Sequence, residues 1–308
     1  MAGDNRERST EIILLGTGCP KFDPNRLGPS QLVVHPGATI LIDCGSGVTQ
    51  RIVAAGFTGR DLDAVFLTHL HSDHIVDLFQ LISTSWQQGR DRPQKIFGPP
   101  GTKTYLDGLM ELWRSELDLR KAHEARPSNV ALDLEVTEFG AGEVWSQAGL
   151  TVEAVEVDHR PVRDAFGFVV SGSGEPAIFS GDTTYCPALI QAARKADVLV
   201  HEVFIHREFK VIPGIRTAES VANVQSYHTC SDVVGKVASE AEVGGLILTH
   251  FAPTRFDKPA LLEEVRRDFS DPLLIGEDLM RLDLTTGTLS HGGAFLTMGS
   301  LWRSGARP

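Results

Sequence analysis

Residues 62–78 hold four side chains of the types that bind metal ions, all within six positions. They follow the apolar run Ala64–Leu67 and are His69, His71, Asp73 and His74. An apolar run before a polar cluster predicts a buried strand that ends in a loop. The chain has 11 histidines in 308 residues, so three in six positions far exceed chance, and imidazoles this close to a carboxylate favour a shared cation. The His-x-His spacing places two imidazoles on one side of an extended loop, whereas Asp73 and His74 point elsewhere, which indicates two adjacent metal positions.

Residues of the same types recur at the ends of other predicted strands. His159 follows Leu150–Val157, Asp182 follows Ala177–Phe179, and His250 follows Leu246–Thr249. A lone histidine after a strand is more often a surface or structural residue. The repetition nevertheless favours metal binding, because α/β sheets expose their sites at the carboxyl ends of strands. The predicted strand Asp197–Val200 ends in the same way, in His201 and Glu202.

These candidate ligands are imidazoles and two carboxylates, without a thiolate. Such a set suits Zn²⁺, with Mn²⁺ or Fe²⁺ as possible occupants. Metal ions that keep an open coordination position mark a catalytic rather than a structural site. Two metals that share a water lower its pKa toward about 7, and the hydroxide would attack an ester, phosphodiester or sulfate. The residue types therefore predict metal-dependent hydrolysis.

The composition is that of an ordinary globular chain, with 42% hydrophobic and 22% charged residues. Its length gives a prior of about two domains. No apolar stretch is long enough to span a membrane and the charged N-terminus lacks an apolar leader, so we expect a cytoplasmic protein with no membrane contact. The four cysteines contain no CxxC pair, which favours reduced thiols. The net charge of −11 opposes binding to nucleic acid, although a local basic groove remains open.

Alternating strands and helices position the candidate residues in an α/β fold. We expect residues 1–10 to be a frayed tail, 11–285 a single catalytic domain with a lid or insertion at 203–227, and 286–308 a C-terminal tail. A helix is predicted at 75–86, after the central cluster. The Gly-rich turn at 43–47 is either an anion cradle or a plain strand-to-helix turn, and the absence of phosphate-loop spacings favours the plain turn. Asp43 could hydrogen-bond a ligating imidazole.

The complete pattern resembles the metallo-β-lactamase superfamily of metal-dependent hydrolases. The motifs that carry the resemblance are THLHSDH (68–74), FSGDT (179–183) and LTHF (248–251). Within the superfamily the chain is most similar to the ribonuclease Z and arylsulfatase branch. The motifs for this branch are LLGTGCP (14–20), NRLGPS (25–30), LIDCGSGV (41–48), VDHRP (157–161), LVHE (199–202) and YHT (227–229).

The resemblance implies a four-layer αββα sandwich and a binuclear zinc site. One zinc ion would be held by His69, His71 and His159, and the second by Asp73, His74 and His250, with Asp182 as the bridge. Asp73 would also orient or deprotonate the nucleophile. His228 would donate a proton to the leaving group and Glu202 would orient His228, while the plainer interpretation of His228 is a surface histidine at a helix N-terminus.

Three features depart from ribonuclease Z. We find no Gly/Pro-rich arm of the kind that grips transfer RNA, the segment between Phe204 and His228 is longer than expected, and the net charge is negative. We therefore expect a homodimeric enzyme acting on a small ester, phosphodiester, sulfate, lactone or activated aromatic compound, with nucleic acid as an unfavoured partner. The alternative is a ribonuclease Z-type endoribonuclease that processes transfer RNA 3′ ends. A metal-free binding protein is disfavoured because no ligand position of the two-metal pattern is lost.

Overall fold

Two mixed β-sheets lie at the centre of the computed structural model, which describes residues 9–172, 174 and 176–297. The strands of the first sheet are β1 (Glu11–Gly16), β2 (Ser30–His35), β3 (Ala38–Ile42), β4 (Ala64–Phe66), β5 (Gln94–Gly98), β6 (Leu134–Glu138), β14 (Arg281–Asp283), β15 (Thr288–His291) and β16 (Ala294–Thr297). Their order across the sheet is β16-β15-β14-β1-β2-β3-β4-β5-β6.

The strands of the second sheet are β7 (Gly142–Gln147), β8 (Leu150–Glu156), β9 (Phe166–Ser171), β10 (Ala177–Phe179), β11 (Val198–Phe204), β12 (Leu246–Ala252) and β13 (Leu273–Ile275). Their order is β13-β12-β11-β10-β9-β8-β7. Strands β10 to β13 run parallel, so their carboxyl ends meet at one edge of the sheet. In the first sheet β3, β4 and β5 are also parallel.

Helices cover the outer face of each sheet. The helices against the first sheet are α1 (Val48–Ala54), α2 (Ser72–Ile75), α3 (Leu78–Gln87) and α4 (Thr102–Glu124), and those against the second are α5 (Pro187–Ala192), α7 (Val234–Glu240) and α8 (Lys258–Val265). Helix α6 (Ala218–Gln225) buries none of its residues. A short 3₁₀-helix spans Val130–Leu132. No helix in the described part of the chain is both long enough and apolar enough to cross a membrane.

The alternation of buried side chains along the strands explains the layers. In β1, Ile12 and Leu14 point into the core between the sheets, whereas Ile13 and Leu15 pack against the outer helices. In β11, Val200 points inward and Leu199 faces the helices on the other side. Strands with apolar residues on both faces must be covered on both faces. The predicted four-layer αββα sandwich is confirmed.

The chain differs from the sequence-based expectations at two places. The helix predicted at 75–86 is interrupted between α2 and α3, where the Asp77 carboxylate accepts a hydrogen bond from the backbone of Thr49 at 2.7 Å. The predicted C-terminal tail at 286–308 is wrong for 288–297, which form β15 and β16. All of β16 is exposed, so it lacks the apolar alternation that would have revealed it. Residues 298–308, and 1–8 of the predicted N-terminal tail, lie outside the described residues.

Candidate active site

The carboxyl ends of strands from both sheets converge on one cluster of polar side chains. His69 and His71 follow β4, Asp73 and His74 lie in α2, His159 follows β8, Asp182 follows β10, and His250 lies in β12. The strand pairing shifts register opposite His250, which has a positive φ of 45°. Such an irregularity re-aims a side chain and is typical of functional sites. The structure thus brings together all seven residues that the sequence nominates as metal ligands.

One half of the cluster contains His69, His71, His159 and Asp182, with one potential ligand atom from each lying within 4.8 Å of the others. His159 Nε2 is 3.2 Å from His71 Nδ1. The same His159 atom and His69 Nε2 each lie 3.9 Å from Asp182 Oδ2. Three ring nitrogens and a carboxylate this close together could serve as donors for one metal ion.

The other half contains Asp73, His74 and His250 and adjoins the same aspartate. His250 Nε2 is 3.3 Å from Asp73 Oδ2 and 3.4 Å from Asp182 Oδ2. His74 Nε2 lies 3.4 Å from Asp182 Oδ2. One oxygen of Asp182 therefore faces ring nitrogens of both halves of the cluster.

Hydrogen bonds at Nδ1 of three imidazoles, those of His69, His74 and His159, fix the orientation of the rings. Asp43 accepts from His74 Nδ1 at 2.8 Å and from the Thr68 hydroxyl at 2.9 Å. The Thr68 oxygen lies 3.0 Å from His69 Nδ1, and the Tyr227 carbonyl accepts from His159 Nδ1 at 2.8 Å. A hydrogen bond at one ring nitrogen sets the tautomer and leaves the other nitrogen free to bind a metal. The predicted support by Asp43 matches this arrangement.

Three buried nitrogen atoms of the cluster have no hydrogen-bond partner among the described residues, and this tests whether the donors fit a metal. One is His250 Nδ1, and the other two, His69 Nε2 and His74 Nε2, are directed at Asp182. A buried polar atom without a partner costs about 1–3 kcal/mol, and an acceptor for the lone pairs of these nitrogens would remove that cost. A divalent cation is such an acceptor, and the donor set therefore fits divalent metal ions.

The pKa shifts of the cluster also fit the binding of a cation. Burial lowers the pKa of His69, His71 and His159, which favours the neutral rings that ligate metals. Burial also opposes protonation of His250, but the carboxylates of Asp182 and Asp73 outweigh it and raise its pKa to about 9. The buried carboxylates thus attract positive charge into the cluster, and a bound cation would satisfy that demand.

His228 and Glu202 form a pair beside the cluster. His228 Nδ1 lies 2.9 Å from both oxygens of Glu202, and Glu202 also accepts the backbone N–H of Thr183 at 2.9 Å. Burial alone would lower the pKa of His228, but the charge and hydrogen bond of Glu202 raise it. Adjacent strand residues face opposite sides, so Glu202 reaches the site while His201 turns away. The plainer interpretation of His228 as a surface residue does not fit its nearly buried side chain.

A cavity of about 480 Å³ opens beside this pair. Its walls come from residues 19–21 on one side and from residues 209–227 on the other, with His228 and His250 in its lining. The segment predicted as a lid or insertion at 203–227 therefore borders the site. The Gly-rich turn at 43–47 serves packing, because a Cβ added at Gly45 would lie 2.4 Å from the carbonyl oxygen of Asp73.

Sequence reasoning missed two supports of the site. Tyr227 acts through its backbone carbonyl, which no side-chain pattern can reveal. Thr68 acts through a hydroxyl shared between Asp43 and His69. Its position directly before the first histidine was the available signal.

Comparison with known proteins matches residues 38–251 to the family described as Beta-lactamase superfamily domain. The chain belongs to the β-lactamase superfamily. It is a metal-dependent hydrolase of that superfamily. The Ribonuclease Z of Mycobacterium marinum is 37% identical over 281 residues, which cover 89% of this chain and 98% of that protein. The Ribonuclease Z of Mycobacterium tuberculosis strain H37Rv is 36% identical over 281 residues, with the same coverage of both chains.

Solved structures with low sequence identity share the superfamily fold. The metallo-β-lactamase fold protein YhfI from Bacillus subtilis has a TM-score of 0.69 at 18% identity and covers 90% of this chain and 99% of its own. The short form of human tRNase Z has a TM-score of 0.66 at 20% identity and covers 89% and 99%, respectively.

These relatives correct one expectation from the sequence. The expectation of a small-molecule substrate, with nucleic acid as an unfavoured partner, is wrong. The chain is 37% identical to a Ribonuclease Z over nearly the whole length of that protein. Net charge describes the field of the entire molecule and says little about one cleft. The missing arm and the negative charge were therefore weaker signals than the motifs around the site.

Proposed function

We propose that this protein is a ribonuclease Z-type endoribonuclease that cleaves precursor transfer RNA at the 3′ end. The observation that carries the proposal is the 37% identity to a Ribonuclease Z across 98% of its length. The site geometry supports it, because a proton donor and a cluster of metal-ligating residues lie at the same cleft. Phosphodiester hydrolysis needs both charge stabilisation and a proton for the leaving oxygen.

Two divalent metal ions, with Zn²⁺ as the favoured species, are part of this proposal. His69, His71 and His159 would hold one ion, and Asp73, His74 and His250 the other, with Asp182 shared between them. When bound, such a pair supplies Lewis acidity toward the phosphate and a water of lowered pKa. The absence of thiolates from the set agrees with a borderline cation bound by nitrogen and oxygen donors.

The side chains around the cluster have separate tasks in this mechanism. The carboxylate of Asp73 faces the centre of the cluster and is placed to orient the attacking water. Because Glu202 occupies Nδ1 of His228, the proton for the leaving oxygen comes from Nε2 of that ring. The negative charge of Glu202 stabilises the protonated ring of His228 before it gives up this proton. The proton transfer leaves the imidazole neutral.

Cleavage of a precursor transfer RNA by the metal-loaded protein tests the function. We expect one discrete product on a gel, ending at the mature 3′ end, at physiological salt. Bis(p-nitrophenyl) phosphate, hydrolysed in parallel, reports whether the preparation is active at all. Hydrolysis of this small diester without cleavage of the precursor would overturn the proposed RNA substrate.

A further inference from the structure

The cavity beside His228 is walled in part by residues of the segment 209–227. Its lining includes Phe209, Ile212, Ile215, Arg216 and Tyr227 from this segment, and Lys21 from the loop between β1 and β2. The ring of Tyr227 lies 4.7 Å from the ring of His228 and 5.1 Å from that of His159. A group bound in this cavity therefore lies directly beside the candidate reaction centre.

The wall has a defined structure of its own. Ile212 and Arg216 exchange two backbone hydrogen bonds, of 3.1 and 2.8 Å, which close a tight turn. The guanidinium of Arg216 stacks 3.9 Å above the ring of Phe209, and Phe209 packs at 4.9 Å against the buried ring of Phe204 in β11. The wall is thus tied to the second sheet through the ring of Phe209, which is in place before any ligand binds.

The chemistry of the lining suits a flat aromatic ring joined to an anion. Aliphatic and aromatic side chains offer faces for stacking, whereas Ile215 remains 76% exposed in the free protein. Arg216 and Lys21 supply positive charge at the same cavity. Proteins that bind single-stranded RNA combine stacking faces with cationic side chains in this way.

We propose that this cavity binds the base of the nucleotide whose oxygen leaves during cleavage. The choice of nucleotide rests on the proposed function, because His228 lines the cavity and is the donor to the leaving oxygen. A base that stacks between Ile215 and Tyr227 would hold the oxygen of its own ribose next to the imidazole of His228. The segment 209–227 then selects and positions the substrate in addition to enclosing the site.

A precursor transfer RNA with an abasic nucleotide on the leaving side of the cleaved bond tests the proposal. For the wild-type protein, loss of this base should lower kcat/KM by about 10-fold or more, since stacking of one base contributes this much. The double variant Ile212→Ser, Ile215→Ser should cleave the intact and abasic precursors equally well. Val211→Ser, exposed on the same segment but outside the cavity lining, should behave as the wild type.

Equal kcat/KM for the intact and abasic precursors in the wild type, or an undiminished difference in the double variant, would overturn the proposal. A separate measurement covers a protein that cleaves no precursor at all. Adenosine 3′-monophosphate should then inhibit bis(p-nitrophenyl) phosphate hydrolysis about 10-fold more tightly than inorganic phosphate, and the double variant should lose this preference. Equal inhibition of the wild type by the two compounds would refute the base-binding site. If the wild type prefers adenosine 3′-monophosphate but cleaves no precursor, only the proposed RNA-processing function is refuted.

Discussion

Asp182 Oδ2 and His228 Nδ1 lie 3.9 Å apart, and the proposed mechanism gives the two residues different tasks. Asp182 faces five imidazoles and is the shared member of both halves of the cluster. His228 has one nitrogen bound by Glu202 and therefore one left for the substrate. Variants at these two positions should separate metal binding from proton transfer.

Asp182→Ala should lose both metal ions and all hydrolysis, because one carboxylate serves both positions. His228→Ala should keep its metal content and lower turnover of precursor transfer RNA by about 10²-fold or more, as expected for a lost general acid. It should affect bis(p-nitrophenyl) phosphate much less, because p-nitrophenolate leaves without a proton. Elemental analysis of the purified variants and turnover of the two substrates provide the measurements.

Glu202→Gln serves as the matched variant for this test, since it preserves size but removes the charge that supports the protonated ring. It should retain its metals and show a loss of turnover on RNA that is smaller than for His228→Ala. Full metal content in Asp182→Ala would contradict the bridging position. Equal losses on both substrates in His228→Ala would contradict the role as proton donor.

Several of the nominated metal ligands were predictable because they lie at the ends of recognisable apolar strands. His69, Asp182 and His250 occupy the carboxyl ends of strands in two different sheets, and parallel strand ends meet in space. The groups that hydrogen-bond to the ligating imidazoles were harder to predict from the sequence. The Tyr227 carbonyl, for example, accepts from His159 across 68 positions of the chain. Such a contact depends on tertiary packing, which a local pattern does not encode.

At the scale of elements, the carboxylate of Asp278 holds the loop between β1 and β2, which contributes residues 19–21 to the cavity lining. Asp278 accepts hydrogen bonds from Thr17 N at 3.0 Å, from the Thr17 hydroxyl at 2.8 Å and from Leu27 N at 2.8 Å. It also pairs with Arg51 at 3.1 Å. The loop between β1 and β2 is therefore fastened at both ends to a single buried side chain.

Asp278→Ala should destabilise the protein by roughly 3–5 kcal/mol, because it leaves buried donors and a cation without their partner. Chemical denaturation gives this difference in the free energy of unfolding. The matched control is Asp107→Ala, which removes an exposed ion pair with Lys103 and should cost less than about 0.5 kcal/mol. Similar losses in the two variants would show that the Asp278 contacts do not brace the loop.

The elements themselves were predicted to different degrees. The hairpin of β2 and β3 carries apolar residues around a turn at residues 35–37 and was readable from the sequence. The hairpin of β15 and β16 was not, because β16 is exposed throughout, β15 is mostly half-buried, and the turn between them is marked by the pair Gly292-Gly293 alone. Edge strands without a buried face leave little pattern to detect.

At the scale of the whole molecule, the net charge of −11 and the proposed RNA substrate must be reconciled. The overall field repels a polyanion, so attraction has to come from cations close to the cleft. Lys21 is exposed in the loop at the cavity and is one such cation. Lys195 is equally a surface residue but precedes the amino end of β11, at the edge of the sheet away from the site.

Lys21→Gln should weaken the binding of precursor transfer RNA and lower the magnitude of the slope of log Kd against log salt by about 1, the effect of one lost phosphate contact. Lys195→Gln should leave both quantities unchanged, although it alters the net charge of the protein by the same amount. Equilibrium binding measured between low and physiological salt distinguishes the two cases. An equal change in slope for both variants would mean that RNA responds to the field of the whole molecule. A change confined to Lys21→Gln would show that a negatively charged protein binds RNA through cations placed at the cleft.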